Sequence, residues 1–357
     1  MTINKALILA GGRGTRLRPL THTIPKQVIP VANQPILHYV LEQLHCVGIK
    51  EIGIVVSPDN REQIKHYMER NHWNLNLEYI EQKTPQGLAH AVIVSREFLG
   101  EDSFLMYLGD NLSGGSLEGI LSTFESAKAD ATLMLKEVDN PQQFGIAEIG
   151  TGGEIKRLIE KPTNPTSNLA IIGTYCFSSR IHQATTRIAP SKRGELEITD
   201  AIQYLLENGG IVNSERLDSW WFDCGTKDDL LEANNVILSQ FATQHIRGSI
   251  SEDSEVEGLV DVGKGTVITN SEIVGPVKIG ENCVITNSFI GPATSIGSKC
   301  KINDSRIIRT IIMDDGIIDS VAQIENSVIG KNCSIFSSRK SVDKKQFMIG
   351  DDAEMLL

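Results

Sequence analysis

Leu9-Ala10-Gly11-Gly12-Arg13-Gly14-Thr15-Arg16-Leu17-Arg18-Pro19 decides how the first part of this chain folds. Before it, Lys5-Ala6-Leu7-Ile8-Leu9 is a short apolar run that predicts a buried strand. After it, from about Pro35 to Val47, comes an amphipathic helical pattern. A glycine-rich loop therefore follows a first strand at the head of an α/β domain. Three glycines in four residues let the backbone approach a ligand closely and aim its N–H groups at an anion. Arg13, Arg16, Arg18 and Lys26 add four cations within 14 residues, and the combination predicts a polyphosphate guest. The string lacks the Gly-Lys-Ser/Thr ending of a P-loop and the spacing Gly-x-Gly-x-x-Gly.

The bulk properties bound the alternatives. A chain of 357 residues predicts two domains. A net charge of −11 argues against a nonspecific nucleic-acid binder, whose affinity comes mostly from phosphate neutralisation by Lys and Arg. Six scattered cysteines with no Cys-x-x-Cys predict reduced thiols rather than disulfides or a zinc site. The first strand begins by Lys5 and no apolar run approaches the ~20 residues needed to span a bilayer, so a cytoplasmic protein without membrane contact is expected.

Strand-like runs at Ile52–Val56, Leu77–Ile80, Ser103–Leu108 and Ala131–Leu135 alternate with helical patterns at Arg61–Arg70, Gly87–Phe98 and Leu117–Ala127. This alternation predicts a mostly parallel sheet covered by helices, with ligands at the carboxyl ends of the strands. Beyond Leu135 come shorter strands, a helix over Leu196–Asn208 and a closing helix over Lys227–Gln240. From about residue 248 another pattern takes over. Val262, Ile268, Ile273, Ile279, Ile285, Ile290, Ile296, Ile302 and Ile307 recur in steps of 6, 5 and 6, so each triplet returns after 17 residues, as do Gly263, Gly280 and Gly297. Three short strands per coil, each with one inward aliphatic, describe a triangular parallel β-helix. The repeat blurs after Met313 and returns at Val328-Ile329-Gly330.

Asp110 and Asp223 end two predicted strands; two carboxylates beside a polyphosphate would hold Mg²⁺, although each alone reads first as a turn former or helix cap. The eight histidines show no metal-like spacing and read as bystanders.

The string from Leu9 through Thr21, Lys26 and Pro30 resembles the sugar nucleotidylyltransferases. So do Pro85-Gln86-Gly87-Leu88-Ala89, Leu108-Gly109-Asp110-Asn111, Glu160-Lys161-Pro162, the stretch Arg193 to Asp200, and Phe222-Asp223-Cys224-Gly225-Thr226. The later repeats resemble the hexapeptide repeats of left-handed β-helices. The resemblance implies a Rossmann-like mixed, mostly parallel sheet in a catalytic domain over residues 1–240, a left-handed parallel β-helix over 248–337, and a tail or cap over 338–357. It implies transfer of a thymidylyl group from dTTP to glucose 1-phosphate in a homo-oligomer. UTP, or another sugar 1-phosphate, stays open as the substrate, as does a catalytically silent regulatory subunit. Acyl transfer by the β-helix is disfavoured, because no histidine follows His245.

Residue by residue, the resemblance assigns Gly11, Gly12, Gly14 and Thr15 to the nucleotide, with Gln82 and Gly87 at the base. Arg16 and Lys26 go to the triphosphate, and Lys161 and Arg193 to the attacking phosphate. Asn111, Gly145, Glu160 and Tyr175 go to the sugar, and Asp110 and Asp223 to Mg²⁺. Gln34, where many relatives carry Lys, and Cys224, where many carry Thr, depart from the pattern.

Overall fold

The computed structural model describes residues 3–69, 73–241, 244–337 and 344–357. The chain falls into two compact units, Met1–Gly12 with Leu37–Asp223, and Arg13–Ile36 with Cys224–Leu357. In chain order the elements are β1 (Lys5–Leu9), β2 (Pro30–Val31), β3 (Gln34–Pro35), α1 (Ile36–Cys46), β4 (Glu51–Val56), α2 (Arg61–Met68) and β5 (Asn76–Glu81). Next come α3 (Leu88–Val94), α4 (Arg96–Leu99), β6 (Phe104–Leu108), β7 (Leu112–Ser113), α5 (Glu118–Ala127), β8 (Ala131–Glu137), β9 (Gly145–Ile149) and β10 (Ile155–Glu160). Then follow β11 (Leu169–Phe177), α6 (Arg180–Thr185), α7 (Ile198–Glu207), β12 (Val212–Arg216), β13 (Trp221–Phe222) and α8 (Lys227–Phe241).

In the first unit β1 lies inside a nine-stranded sheet whose main path runs β10-β9-β11-β6-β1-β4-β5, with β8 beside β11 and β12 beside β8. It pairs in parallel with β4 and β6, setting Leu7 beside Gly53 and Met106. Continuous apolar runs such as Ala6 to Leu9 suit a strand covered on both faces, and those residues are buried. The sheet is mixed because β11, buried along its whole length, runs antiparallel to β6, β8 and β9. The helix expected over Gly87–Phe98 is broken at Ser95, whose hydroxyl donates to the Ala91 carbonyl at 2.8 Å and separates α3 from α4. The helix expected from Leu196 begins at Ile198, because the Leu196 N–H and C=O are engaged with Gln86 and Ala89.

The second unit contains the parallel β-helix. Val262, Ile279 and Ile296 stack in register, as do Ile268, Ile285 and Ile302, and Ile273, Ile290 and Ile307. All nine side chains are buried, which is what an inward aliphatic on each face requires. The blurring after Met313 has a simple cause. Ile296 pairs with Ile312 and Ile302 with Ile318, so this coil has 16 residues rather than 17. The continuous strand Arg306–Ile312 rounds the shortened corner. Residues 344–357, expected as a tail or cap, add a further coil: Met348–Ile349 pairs with Val328–Ile329, and Glu354–Leu356 with Ser334–Phe336. The rest of that expected tail, residues 338–343, lies outside the described residues. Among the described residues no cysteine forms a disulfide. Among the described residues no helix is long and apolar enough to cross a membrane.

Candidate active site

At the carboxyl end of β1 the Ala10 N–H donates to the Val55 carbonyl at 2.8 Å, and the buried Asn60 amide donates to the Ala10 carbonyl at 2.8 Å. These bonds hold the chain where it enters the glycine loop. A Cβ on Gly11 would lie 3.3 Å from Gln82 Oε1, so the missing side chain leaves room beside that amide. Gln82 is buried at the end of β5; its Nε2 donates to the Gly87 carbonyl at 3.3 Å and meets His90 Nδ1 at 3.0 Å. Gly87 has φ +98, and a Cβ there would strike the Leu196 backbone. Glycine is therefore required for conformation and for space. Gly11, Gln82 and Gly87 are thus brought together. His90 is no bystander: burial pushes its pKa down, keeping Nδ1 available to accept from Gln82.

Asp110 and Asp223 are half-buried and flank the short β7–β13 ladder. Phe222 pairs with Leu112, so Asp223 follows one strand of that ladder and Asn111 precedes the other. The Asn111 amide donates to Asp110 Oδ1 at 2.8 Å, and Trp221 Nε1 donates to Asn111 Oδ1 at 2.8 Å. A tryptophan thus fixes the amide that orients a carboxylate. Among the described residues no group of three or more His, Cys, Asp or Glu could hold a metal ion. Two carboxylates suit Mg²⁺, which takes one or two such ligands and leaves its other positions to water and phosphate.

Glu160 ends β10. Its Oε2 accepts from Thr199 Oγ1 at 2.7 Å, and a Cβ on Gly145 would meet both oxygens at 3.0 Å. Arg193 precedes α7 and faces three carboxylates, Glu195 at 3.1 Å and Glu160 and Glu197 at 3.5 Å. Glu197 is buried and accepts from Ser191 Oγ at 2.8 Å; burial pushes its pKa up. Lys161 follows Glu160 with φ 42, its N–H donating to the Phe144 carbonyl at 3.0 Å and its side chain exposed. Tyr175, expected to line the sugar, is 3% exposed and stacked on Phe177 within the core. Burial and the Glu160 charge push its hydroxyl pKa up.

The second unit carries Gly14, Thr15, Arg16 and Lys26 on one segment. Gly14 has φ +60 and its carbonyl accepts from Thr21 Oγ1 at 2.8 Å. Arg16 is exposed and its guanidinium lies against Gly225, where a Cβ would push it aside. Lys26 is 6% exposed, and the adjacent Gln27 is buried with an Oε1 that has no hydrogen-bond partner among the described residues.

Sequence reasoning missed Thr199, Glu197, Trp221, Asn60 and Gln27. Thr199, Glu197 and Gln27 sit inside strings singled out for other residues, so a signal was present. Asn60 carried none.

A glycine-rich strand end beside a buried amide, on the parallel part of a mixed sheet, is what a nucleotidyl-transferring class of enzyme would use to take up a nucleotide. Residues 5–240 match the Nucleotidyl transferase family, and the chain belongs to it. It is 43% identical to a glucose-1-phosphate thymidylyltransferase of Streptomyces griseus over 97% of this chain and 98% of that protein. It is 36% identical to a UTP–glucose-1-phosphate uridylyltransferase of Haloferax volcanii, over 64% of this chain and 94% of that protein. Among solved structures, a UDP-glucose pyrophosphorylase complexed with UDP-glucose superposes with a TM-score of 0.62 at 26% identity, covering 67% of this chain and all (100%) of that one.

Proposed function

We propose that this chain transfers a thymidylyl group from dTTP to glucose 1-phosphate, giving dTDP-glucose and pyrophosphate. The observation that carries the reading is end-to-end likeness: the thymidylyltransferase of Streptomyces griseus matches through the β-helix as well as the sheet, whereas the uridylyltransferase matches over 64% of this chain.

In the proposed reaction a phosphate oxygen of glucose 1-phosphate attacks the α-phosphorus of dTTP. One P–O bond forms, the bond to pyrophosphate breaks, and no strong base is needed because the nucleophile is already an anion. Positioning and charge stabilisation supply the rate. Arg16 and Lys26 hold the triphosphate and steady the leaving pyrophosphate, with Gly12, Gly14 and Thr15 offering backbone to it. Gln82, between Gly11 and Gly87, reads the base through one donor and one acceptor. Lys161 and Arg193 hold the attacking phosphate, and Glu160, Gly145 and Asn111 hold the sugar, with Tyr175 packed behind them. Asp110 and Asp223 are the residues that would hold Mg²⁺, which when bound neutralises triphosphate charge. Residues 1–240 form the catalytic domain in this reading, and the enzyme is a cytoplasmic homo-oligomer.

Thymine and uracil present the same hydrogen-bonding edge, and a methyl-sized difference is worth about 1–3 kcal/mol. The test is therefore pyrophosphate release with Mg²⁺ across dTTP, UTP, ATP, CTP and GTP, each against several sugar 1-phosphates. Highest kcat/KM with dTTP and glucose 1-phosphate is expected. A UTP preference would replace the nucleotide and keep the mechanism. No release from any pair would overturn the reading in favour of a catalytically silent subunit.

A further inference from the structure

The segment Arg13–Ile36, which carries Arg16 and Lys26, belongs to the same compact unit as α8 and the β-helix. It ends in the β2–β3 hairpin, where Val31 pairs with Gln34 around the two-residue turn Ala32-Asn33. Both turn residues are left-handed, with φ 48 and φ 62, the pair of values a tight type I′ turn needs. Alanine is an unusual choice there, and the turn is held by bonds from outside the hairpin.

Three hydrogen bonds tie this turn to the coils. Asn33 Nδ2 donates to the Ile296 carbonyl at 2.7 Å. The Ala32 N–H donates to Asn234 Oδ1 at 2.8 Å, and Asn234 Nδ2 donates to the Ala293 carbonyl at 3.0 Å. Asn234 is fully buried in α8, so its amide is committed at both ends to backbone groups. Helix α8 is itself fixed to later coils, by Arg309 to Glu232 at 2.9 Å and by Lys227 Nζ to the Asn326 carbonyl at 3.0 Å. Toward the other end of the segment, a Cβ on Gly350 would lie 3.1 Å from the Pro19 carbonyl oxygen. The segment is therefore anchored on the coils at Ala293 and Ile296 and packed against the last one. Between those anchors lie Lys26 and Gln27, buried, and the short turns that present Arg16.

We infer that Asn33 and Asn234 are positioning residues through which the β-helix sets the segment bearing Arg16 and Lys26, and so sets the affinity for the nucleoside triphosphate. The coils act as the jig for one substrate of the reaction, and the sugar phosphate is indifferent to them. The inference rests on the reading that Arg16 and Lys26 hold the triphosphate.

The test uses the full chain. Asn33→Gly keeps a residue that tolerates positive φ and removes only the amide bonded to Ile296. Asn234→Ala is the stronger lesion, and thermal unfolding reports whether it folds. Asn270→Gly is the control, tolerating the φ of 45 there and breaking a bond of 2.8 Å to Asn287 elsewhere on the coils. In Asn33→Gly the KM for the nucleoside triphosphate is expected to rise about 5- to 10-fold, while the KM for the sugar 1-phosphate stays within about 2-fold. Hydrogen exchange at Leu17, Val28 and Ile29 should quicken, and Asn270→Gly should change none of these. A parallel change in both KM values, or unchanged exchange in residues 13–36, would overturn the inference. Should the wild-type chain release no pyrophosphate, the parent reading fails separately. Calorimetric binding of inorganic tripolyphosphate then decides: weaker binding by Asn33→Gly supports the inference, and equal binding overturns it.

Discussion

Thr199 Oγ1 donates to Glu160 Oε2 at 2.7 Å, joining the first turn of α7 to the last residue of β10. Both atoms would sit 3.0 Å from a Cβ on Gly145, so glycine is what leaves a slot beside them. The bond holds a carboxylate whose other oxygen is 3.5 Å from Arg193. Replacing the hydroxyl with a methyl in Thr199→Val frees Glu160 to rotate. The KM for the sugar 1-phosphate should rise by about 5-fold, the effect of losing about 1 kcal/mol of positioning. The KM for the nucleotide should not move; initial-rate kinetics with each substrate varied separately would show it.

His182 sets an acid limit on stability. Burial, and then the charge of Arg96, bring its pKa from the ordinary 6.5 down to about 4. Its ring stacks on Phe104, and Nε2 is buried with no hydrogen-bond partner among the described residues. The unfolded chain takes up the proton first as pH falls below 6.5, and the folded chain follows only near 4. Stability contributed by the neutral ring is thus lost across that window. His182→Leu should flatten the fall of the urea midpoint between pH 6.5 and 4, relative to wild type. Equal slopes in the two proteins would place the acid sensitivity on other groups.

On the proposed reading that Asp110 holds Mg²⁺, the chain Trp221–Asn111–Asp110 should make metal affinity depend on an aromatic side chain. Trp221→Phe removes the N–H that fixes the Asn111 amide, which in turn donates to Asp110. Outer partners of this kind are worth about 10-fold or more in metal affinity. The Mg²⁺ concentration for half-maximal pyrophosphate release should rise accordingly, with kcat near wild type at saturating Mg²⁺. Asp110→Asn and Asp223→Asn should lose about 10²-fold or more in kcat even at saturation. EDTA should abolish the wild-type reaction, and restored turnover on adding Mg²⁺ should follow.

What was legible in the sequence is what repeats or clusters. One inward aliphatic per face leaves a 17-residue imprint, so the coils could be read directly from Val262 to Ile307. Where a coil loses one residue, between Ile296 and Ile312, the same geometry persists but the imprint does not. The candidate site was legible where glycine, Lys, Arg and Asp sit in short strings. It was not legible where two ordinary residues far apart define it. Ala32 and Asn234 are 202 residues apart, and Thr199 and Glu160 are 39 apart, with no period or composition linking them. Tyr175 is placed by a shared pattern, and what that pattern does not carry is that its strand, Leu169–Phe177, is buried along its whole length.

The glycines at the repeat period test the coil geometry itself. Gly263, Gly280 and Gly297 occupy one corner, and a Cβ on Gly280 would lie 2.6 Å from the Gly297 carbonyl carbon and the Ser298 nitrogen. Those neighbours are backbone and cannot rotate aside. Nor can Gly280 retreat, because its own N–H donates to the Ile296 carbonyl at 2.7 Å. Gly280→Ala must therefore spread two coils, and the spreading is opposed by the buried stack of Ile279 and Ile296. A loss on the order of 1–3 kcal/mol is expected, as for other overpacked sites. Urea unfolding should show a lowered midpoint with an unchanged slope. A midpoint equal to wild type would mean that the corner opens without strain, and the 17-residue glycine would then owe its place to something other than the stacking of the coils.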